Sequence, residues 1–187
     1  MASKVDKPNN TRRIDVLIFN DVNLLDVSGP AQAFEAANAG PQKRYITRYV
    51  SLDGQSVRAS CGLTLVPDAP LTARSKSDDL LIPGGNIAPL QKSELLMEII
   101  QQRAKQAGDG RLISICSGAL VLAAAGVLDG RIATTHWARE HEAKAYDKIL
   151  WDLDRICATD GRIHTSAGVS TGIDLALAII RDDCGVN

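Results

Sequence analysis

The sequence predicts an α/β fold. A mostly parallel central sheet lies between helices in a three-layer sandwich, with small antiparallel hairpins added. Three observations carry this expectation. Short, near-continuously apolar runs at Ile14–Phe19, Leu80–Pro83 and Leu112–Ile115 suit strands covered on both faces. Segments with helical periodicity alternate with them, such as Glu94–Ala107 with Leu95, Ile99 and Ile100 on one face. Glycine-containing turns at Cys61-Gly62 and Asp160-Gly161 interrupt β-prone runs in the way hairpins do.

Taken in order, residues 1 to 12 read as a flexible tail and residues 13 to 187 as a single domain. The first strand, Ile14–Phe19, leads into a loop, Asn20–Pro30. Pro30 then suits the first turn of a helix, AQAFEAANAG, closed by Gly40. Tyr45–Leu52 reads as a strand, Asp53-Gly54 as a turn and Val57–Val66 as a hairpin. Leu80–Pro83 is a short buried strand ending in Gly84-Gly85-Asn86, and Gly108 ends the helix that starts at Glu94. After Leu112–Ile115 the chain breaks at Cys116-Ser117-Gly118 and continues as an Ala/Leu-rich helix, Ala119–Ala125. Arg131–Thr135 reads as extended and Ala138–Ala145 as helical. Arg155–Ala158 and Arg162–Ser166 read as a hairpin, and a last helix opens at Ser170-Thr171, where Thr171 and Asp174 have capping-box spacing.

Composition narrows the function. With 187 residues, 45% hydrophobic and 23% charged, the chain can bury a core. A net charge of -1 with scattered Lys and Arg offers no basic stripe for phosphates, so this segment is not expected to bind DNA by itself. The polar start, MASKVDKPNNTRR, is no signal peptide, and no apolar run approaches the roughly 20 residues of a membrane span. Four cysteines without a CxxC pair fit a reduced, cytoplasmic protein. No His, Cys and carboxylate arrangement has metal-ligand spacing, and neither a metal nor another cofactor is expected.

The chemistry-bearing residues sit where strands end. A strand, a sharp turn and a helix with Cys116 at the corner form the layout of a nucleophile elbow, with Gly118 leaving room for close backbone approach. A thiol at a helix N-terminus faces unpaired N–H groups and the positive end of the helix dipole, which favours thiolate. The alternative is a small buried apolar cysteine. Asp26, in Leu24-Leu25-Asp26-Val27, is either a loop or capping carboxylate or a proton donor and acceptor facing the thiol. Gly84-Gly85 is either a tight turn or a backbone N–H aimed at a reacting oxygen. His136 is either the base of a Cys/His pair or a structural histidine, and His141 and His164 read as surface or hairpin residues. Ser117 is the weaker alternative as nucleophile, because Ile115 stands where G-x-S-x-G needs glycine.

The stretches Leu24–Pro30, Ile82–Gly85, Ser114–Gly118, Ala133–Trp137 and Ser166–Asp174, in this order, resemble the ThiJ/PfpI superfamily. The resemblance spans Arg13 to about Gly185 and implies the flavodoxin-like fold of class I glutamine amidotransferases. Two branches carry these motifs: the N-terminal domains of AraC-type transcriptional regulators and the isocyanide hydratase-like enzymes. Ser117 stands where the peptidase members tend to have histidine, and no C-terminal His-Glu pair of the amidotransferases is found, so both activities are set aside. The runs Asp152–Ile156, Thr159–Gly168 and Asp174–Asp183 resemble the regulator branch. That resemblance implies a ligand-sensing, dimerising domain, with a helix-turn-helix DNA-binding domain expected beyond Asn187. A small metabolite would bind at Gly84, Gly85, Cys116, Ser117 and His136. The alternative is a hydratase or amidase with Cys116 as nucleophile and Asp26 handling the proton; a further option is oxidation sensing by Cys116.

Overall fold

The computed structural model describes residues 11–185, so most of the expected tail lies outside the described residues. The secondary-structure elements are strands β1 (Arg12–Leu17), β2 (Tyr45–Ser51), β3 (Val57–Arg58), β4 (Thr64–Leu65), β5 (Ala69–Pro70), β6 (Asp79–Ile82), β7 (Leu112–Ile115), β8 (Ile132–Ala133), β9 (Leu150–Trp151), β10 (Cys157–Asp160) and β11 (Ile163–Ser166), and helices α1 (Leu24–Ala36), α2 (Ala88–Gln91), α3 (Glu94–Lys105), α4 (Gly118–Ala124), α5 (Glu140–Ala143) and α6 (Thr171–Cys184). A 3-10 turn, Trp137–Arg139, precedes α5.

The central sheet has the order β10-β11-β7-β6-β1-β2-β5 and is parallel except where β10 pairs with β11. The expected three-layer α/β sandwich is therefore present. Two antiparallel hairpins, β3–β4 and β10–β11, match the sequence reading, whereas β8 and β9 form a short parallel pair. From β1 the chain steps outward to β2, but from β6 it steps the other way to β7 and then β11. Right-handed crossovers in opposite directions put helices on opposite faces. Accordingly α1 and α6 pack together on one face, and α2, α3 and α4 pack together on the other. The reversal lies between β1 and β6, so the loops leaving the carboxyl ends of these strands open a crevice there.

Two differences from the sequence reading shape the site. Helix α1 starts at Leu24, not after Pro30, and Pro30 lies inside it. Asp26 thus belongs to the helix's first turn rather than to a loop. Proline has no N–H to give the carbonyl four residues back, and the helix tolerates that loss because burial of Val27, Ala31 and Phe34 fixes the segment. In α3 the buried face runs through Leu96, Ile99 and Ile100, and Leu95 points to solvent.

Buried charges in the sheet are paired. Asp15, within the run expected to be apolar, accepts two hydrogen bonds from Arg48, at 2.9 and 3.0 Å, and one from Ser77 at 2.7 Å. Asp79 accepts from Arg12 at 2.7 Å and from the Arg111 N–H at 2.9 Å. His164 is buried in β11 rather than at the surface, beside the Thr159 hydroxyl at 3.2 Å. Burial first, and then the Arg111 charge, push its imidazole down to about 4. Thr171 does not close a capping box; its hydroxyl accepts the Gly168 N–H at 2.7 Å and so tightens the loop before α6.

Phe34 ties α1 to the sheet. It is fully buried, and its ring lies 4.9 Å from that of Tyr45 at the start of β2. Phe34→Ala is expected to lower unfolding free energy by about 3–5 kcal/mol, read by urea denaturation with circular dichroism. A loss under about 1 kcal/mol would contradict this packing role.

Candidate functional site

Four strand ends converge at the crevice. β1 leads through Phe19–Asn23 into α1, which carries Asp26. β6 leads to Pro83-Gly84-Gly85, β7 to Cys116 and β11 to Ala167–Ser170. Cys116 has φ 56°, the left-handed turn of an elbow. Its N–H donates to Ser166 O at 3.0 Å, and its carbonyl accepts from the Thr135 hydroxyl at 2.8 Å, which fixes the turn on both sides.

Two glycines make the space for it. A Cβ at Gly84 would lie 2.6 Å from Cys116 Cβ, 2.7 Å from Asp26 Oδ2 and 2.9 Å from Cys116 Sγ. At Gly168, with φ +102°, a side chain would collide with the Cys116 backbone and thiol and would also be strained. Any larger residue at either position would separate the thiol from its surroundings.

The Asp26 side chain is fully buried. Its Oδ2 accepts the Gly84 N–H at 3.0 Å, and its Oδ1 accepts the Val169 N–H at 3.1 Å and Asn23 Nδ2 at 3.2 Å. The Cys116 thiol lies next to the same carboxyl, both groups lining the space above Gly84. Burial pushes Asp26 up to about 6, against the pull of the Gly84 and Val169 N–H groups. Burial also pushes the Cys116 thiol up, to about 11, and the Asp26 charge adds to this; the Ser117 N–H acts in the opposite direction. The thiolate expected from the helix N-terminus is therefore not favoured. α4 has only seven residues, and its dipole is outweighed by desolvation and a carboxylate in contact with the sulfur. Both shifts favour a carboxylate beside a protonated thiol near neutral pH.

The other sequence candidates are placed unequally. Ser117 is buried, and its hydroxyl accepts the Gly85 N–H at 3.0 Å and donates to Gly85 O at 3.3 Å. The Gly85 N–H is thus committed, which leaves the Ser117 N–H, beside the sulfur, as the donor of the elbow. His136 shares an open depression with Cys116, but its Nδ1 accepts the Ala138 N–H at 3.2 Å. No hydrogen bond joins it to Cys116 among the described residues, so a Cys/His pair is not assembled.

The depression over Cys116 has a volume of about 750 Å³ and is lined by Asp21, Asn23, Gly85, Asn86, His136, Arg139 and Val169, among others. Asp21, Cys116 and Val169, the non-glycine residues with positive φ among the described ones, all border it. Such conformations cost about 1–3 kcal/mol each and gather where function needs them. Sequence reasoning missed Asn23, Thr135, Arg139, Gly168 and Val169. The Ser166–Asp174 run was visible as a motif, but nothing in a valine announces a left-handed backbone. Among the described residues, no group of three or more His, Cys, Asp or Glu is placed to hold a metal ion.

Comparison with known proteins places the chain. The model of the DJ-1/PfpI family matches residues 12–182. An isonitrile hydratase from Pseudomonas putida is 34% identical over 176 residues, 94% of this chain and 73% of the enzyme. The HTH-type transcriptional regulator GbdR of Pseudomonas aeruginosa is 27% identical over 178 residues; the match takes in 94% of this chain but only 48% of the regulator, about half its length. The crystal structure of an AraC family transcriptional regulator from Pseudomonas putida superposes with a TM-score of 0.82 at 22% identity, covering 91% of each chain, and shows the shared fold.

The site chemistry is open to a direct check. Alkylation of Cys116 by iodoacetamide, followed by mass spectrometry, is expected to accelerate with pH without a plateau near neutrality, toward a midpoint near about 11. Asp26→Asn removes the adjacent charge and should lower that midpoint by roughly one unit or more. A wild-type rate that is already level at neutral pH would contradict the protonated thiol.

Proposed function

The chain belongs to the DJ-1/PfpI family, and from that membership and the geometry of the elbow we propose that it is the ligand-sensing, dimerising domain of an AraC-type transcriptional regulator. It works in the cytoplasm, and DNA is bound by a helix-turn-helix domain outside this chain. The ligand is a small amine- or amide-containing metabolite held over Cys116, where Asn23, Asn86, Asp21 and Arg139 supply polar partners of both charges. The observation that carries this reading is the closure of the Gly85 N–H by the Ser117 hydroxyl beside a thiol held protonated. A nucleophilic site needs a thiolate and free donors for developing charge. Here the thiol is pushed up and the Gly85 N–H is committed, so the Ser117 N–H is left without its companion donor, while the pre-formed polar depression remains. The similarity to regulators along nearly the whole chain supports the same reading.

Sensing then works through differential affinity: the ligand shifts an equilibrium between two arrangements only as far as it prefers one of them. For a dimer, the surface next to the site offers exposed apolar side chains on the α1–α6 face, Leu25 and Leu177, and Ile156 nearby.

A second reading, a cysteine-dependent hydratase or amidase, is favoured by the 34% identical isonitrile hydratase and by the Asp26–Cys116 contact. One experiment separates them. Small amines, amides and isonitriles are screened by calorimetry, and bound compounds are recovered and weighed by mass spectrometry. Sensing predicts a ligand recovered unchanged, whose affinity shifts by less than about threefold in Cys116→Ser, a change well under 1 kcal/mol. Turnover of an isonitrile or amide that disappears in Cys116→Ala would replace sensing with catalysis.

A further inference from the structure

Asn23 opens α1 without doing what its position calls for. Asparagine at a helix N-cap ordinarily turns its side-chain oxygen to an N–H of the first turn. Ser93 caps α3 in this way, accepting the Leu96 N–H at 3.3 Å. Asn23 is the N-cap of α1 and makes no side-chain cap hydrogen bond. Its backbone is held on both sides: its N–H donates to Gly84 O at 2.9 Å, and its carbonyl accepts the Asp26 N–H at 3.1 Å. The side chain instead donates from Nδ2 to Asp26 Oδ1 at 3.2 Å. That leaves Asn23 Oδ1 with no hydrogen-bond partner among the described residues.

The same residue is half-buried and lines the depression over Cys116. Of the three hydrogen-bond donors to Asp26, Gly84 and Val169 use backbone N–H groups, at 3.0 and 3.1 Å, fixed by the loops that carry them. Asn23 is the one of the three that gives a side-chain amide, over the longest distance, and it can withdraw by rotating that side chain. The titratable and charged groups facing this carboxyl are Cys116, beside it after β7, and Asp21 and Arg139, which line the depression.

We propose that Asn23 is a positioning residue that passes occupancy of the depression to the buried Asp26, and that the occupant it answers to is a primary carboxamide. Two carboxamides pair through reciprocal N–H···O bonds, so such a ligand engages Oδ1 and draws Nδ2 away from Asp26. An ammonium group has donors only: it satisfies Oδ1 and leaves Nδ2 on Asp26. Loss of the Nδ2 donor disfavours the carboxylate, so the proton affinity of Asp26 rises. Occupancy is thereby read by the carboxyl that ties together the loops after β1, β6 and β11. The inference rests on the sensing reading for the depression as the ligand site, and it narrows the ligand from amines and amides to amides.

The probe is a carboxamide tethered in the depression by alkylating Cys116 with iodoacetamide. Methylthiolation with methyl methanethiosulfonate supplies an occupant with no N–H. Nuclear magnetic resonance follows the Asn23 side-chain amide and the Asp26 carboxyl carbon through a pH titration. In the unmodified protein the amide signal is expected to move with Asp26, with a midpoint near about 6. Asn23→Ala should raise the Asp26 midpoint by about half a unit or more. After carbamidomethylation the amide signal should no longer follow Asp26, and the Asp26 midpoints of the wild type and Asn23→Ala should coincide. The methylthio protein should keep the wild-type coupling. A residue that only supported α1 would move none of these titrations, and the amide titration needs no variant, so it decides the matter should Asn23→Ala fail to fold. An Asp26 midpoint unaltered in Asn23→Ala, an amide signal that ignores Asp26 in the unmodified protein, coupling that survives carbamidomethylation, or coupling lost equally to the methylthio group would each overturn the proposal. Uncoupling by the tethered carboxamide, with no free compound bound in the calorimetric screen, would overturn the sensing reading alone. A free amide bound without uncoupling would overturn only the role of Asn23.

Discussion

Asp26 has no exposed surface, and a carboxyl group deprived of water must find its hydrogen-bond donors inside the protein. It finds them from three directions: Asn23 before α1, Gly84 after β6 and Val169 after β11, with the Cys116 thiol beside them. Each donor fixes a loop. The early start of α1 brings the carboxyl under the sheet edge, and the absence of side chains at Gly84 and Gly168 lets carboxyl and thiol come together. The left-handed backbone at Val169 turns its N–H toward Oδ1. Removing any one of these would strand part of a buried charge, which costs more than the hydrogen bond itself.

The topology explains why these loops meet. The sheet reverses its winding between β1 and β6, and a crevice opens at the carboxyl ends of strands at such a reversal. The elbow sits one strand away, after β7, where the short α4 raises Cys116 toward it. The same packing decides the chemistry. Burial raises both acid groups, Asp26 to about 6 and Cys116 to about 11, and the Asp26 charge adds to the rise of the thiol. Cys116 keeps a left-handed strand-to-helix turn, while burial and the Asp26 charge push its thiol up to about 11.

Much of this was legible in the residues. The apolar runs at Leu80–Pro83 and Leu112–Ile115 gave two central strands, because a strand covered on both faces has no polar period to disguise it. Cys116, Asp26 and Gly84 were singled out and do meet. Other features were hidden for identifiable reasons. Pro30 marked a helix start by local preference, but tertiary burial carried α1 past it. The IDVLIF run concealed a buried Asp15 whose partner Arg48 is 33 residues away. The rise of the thiol comes from burial first and the Asp26 charge second, and spacing along the chain reveals neither. His164, read as a surface or hairpin residue, does lie in the β10–β11 hairpin, but β11 also pairs with β7, and that second partner buries it.

The protonation state of the Asp26–Cys116 pair is the point on which the rest turns, and infrared difference spectroscopy reads it directly. The carboxylic acid band assigned to Asp26, identified by its loss in Asp26→Asn, should titrate away with a midpoint near about 6, while the S–H stretch of Cys116 persists well above neutral pH. A protonated Asp26 beside an absent S–H band at neutral pH would mean that the proton resides on the carboxyl and the sulfur is a thiolate, and the elbow would then be a working nucleophile.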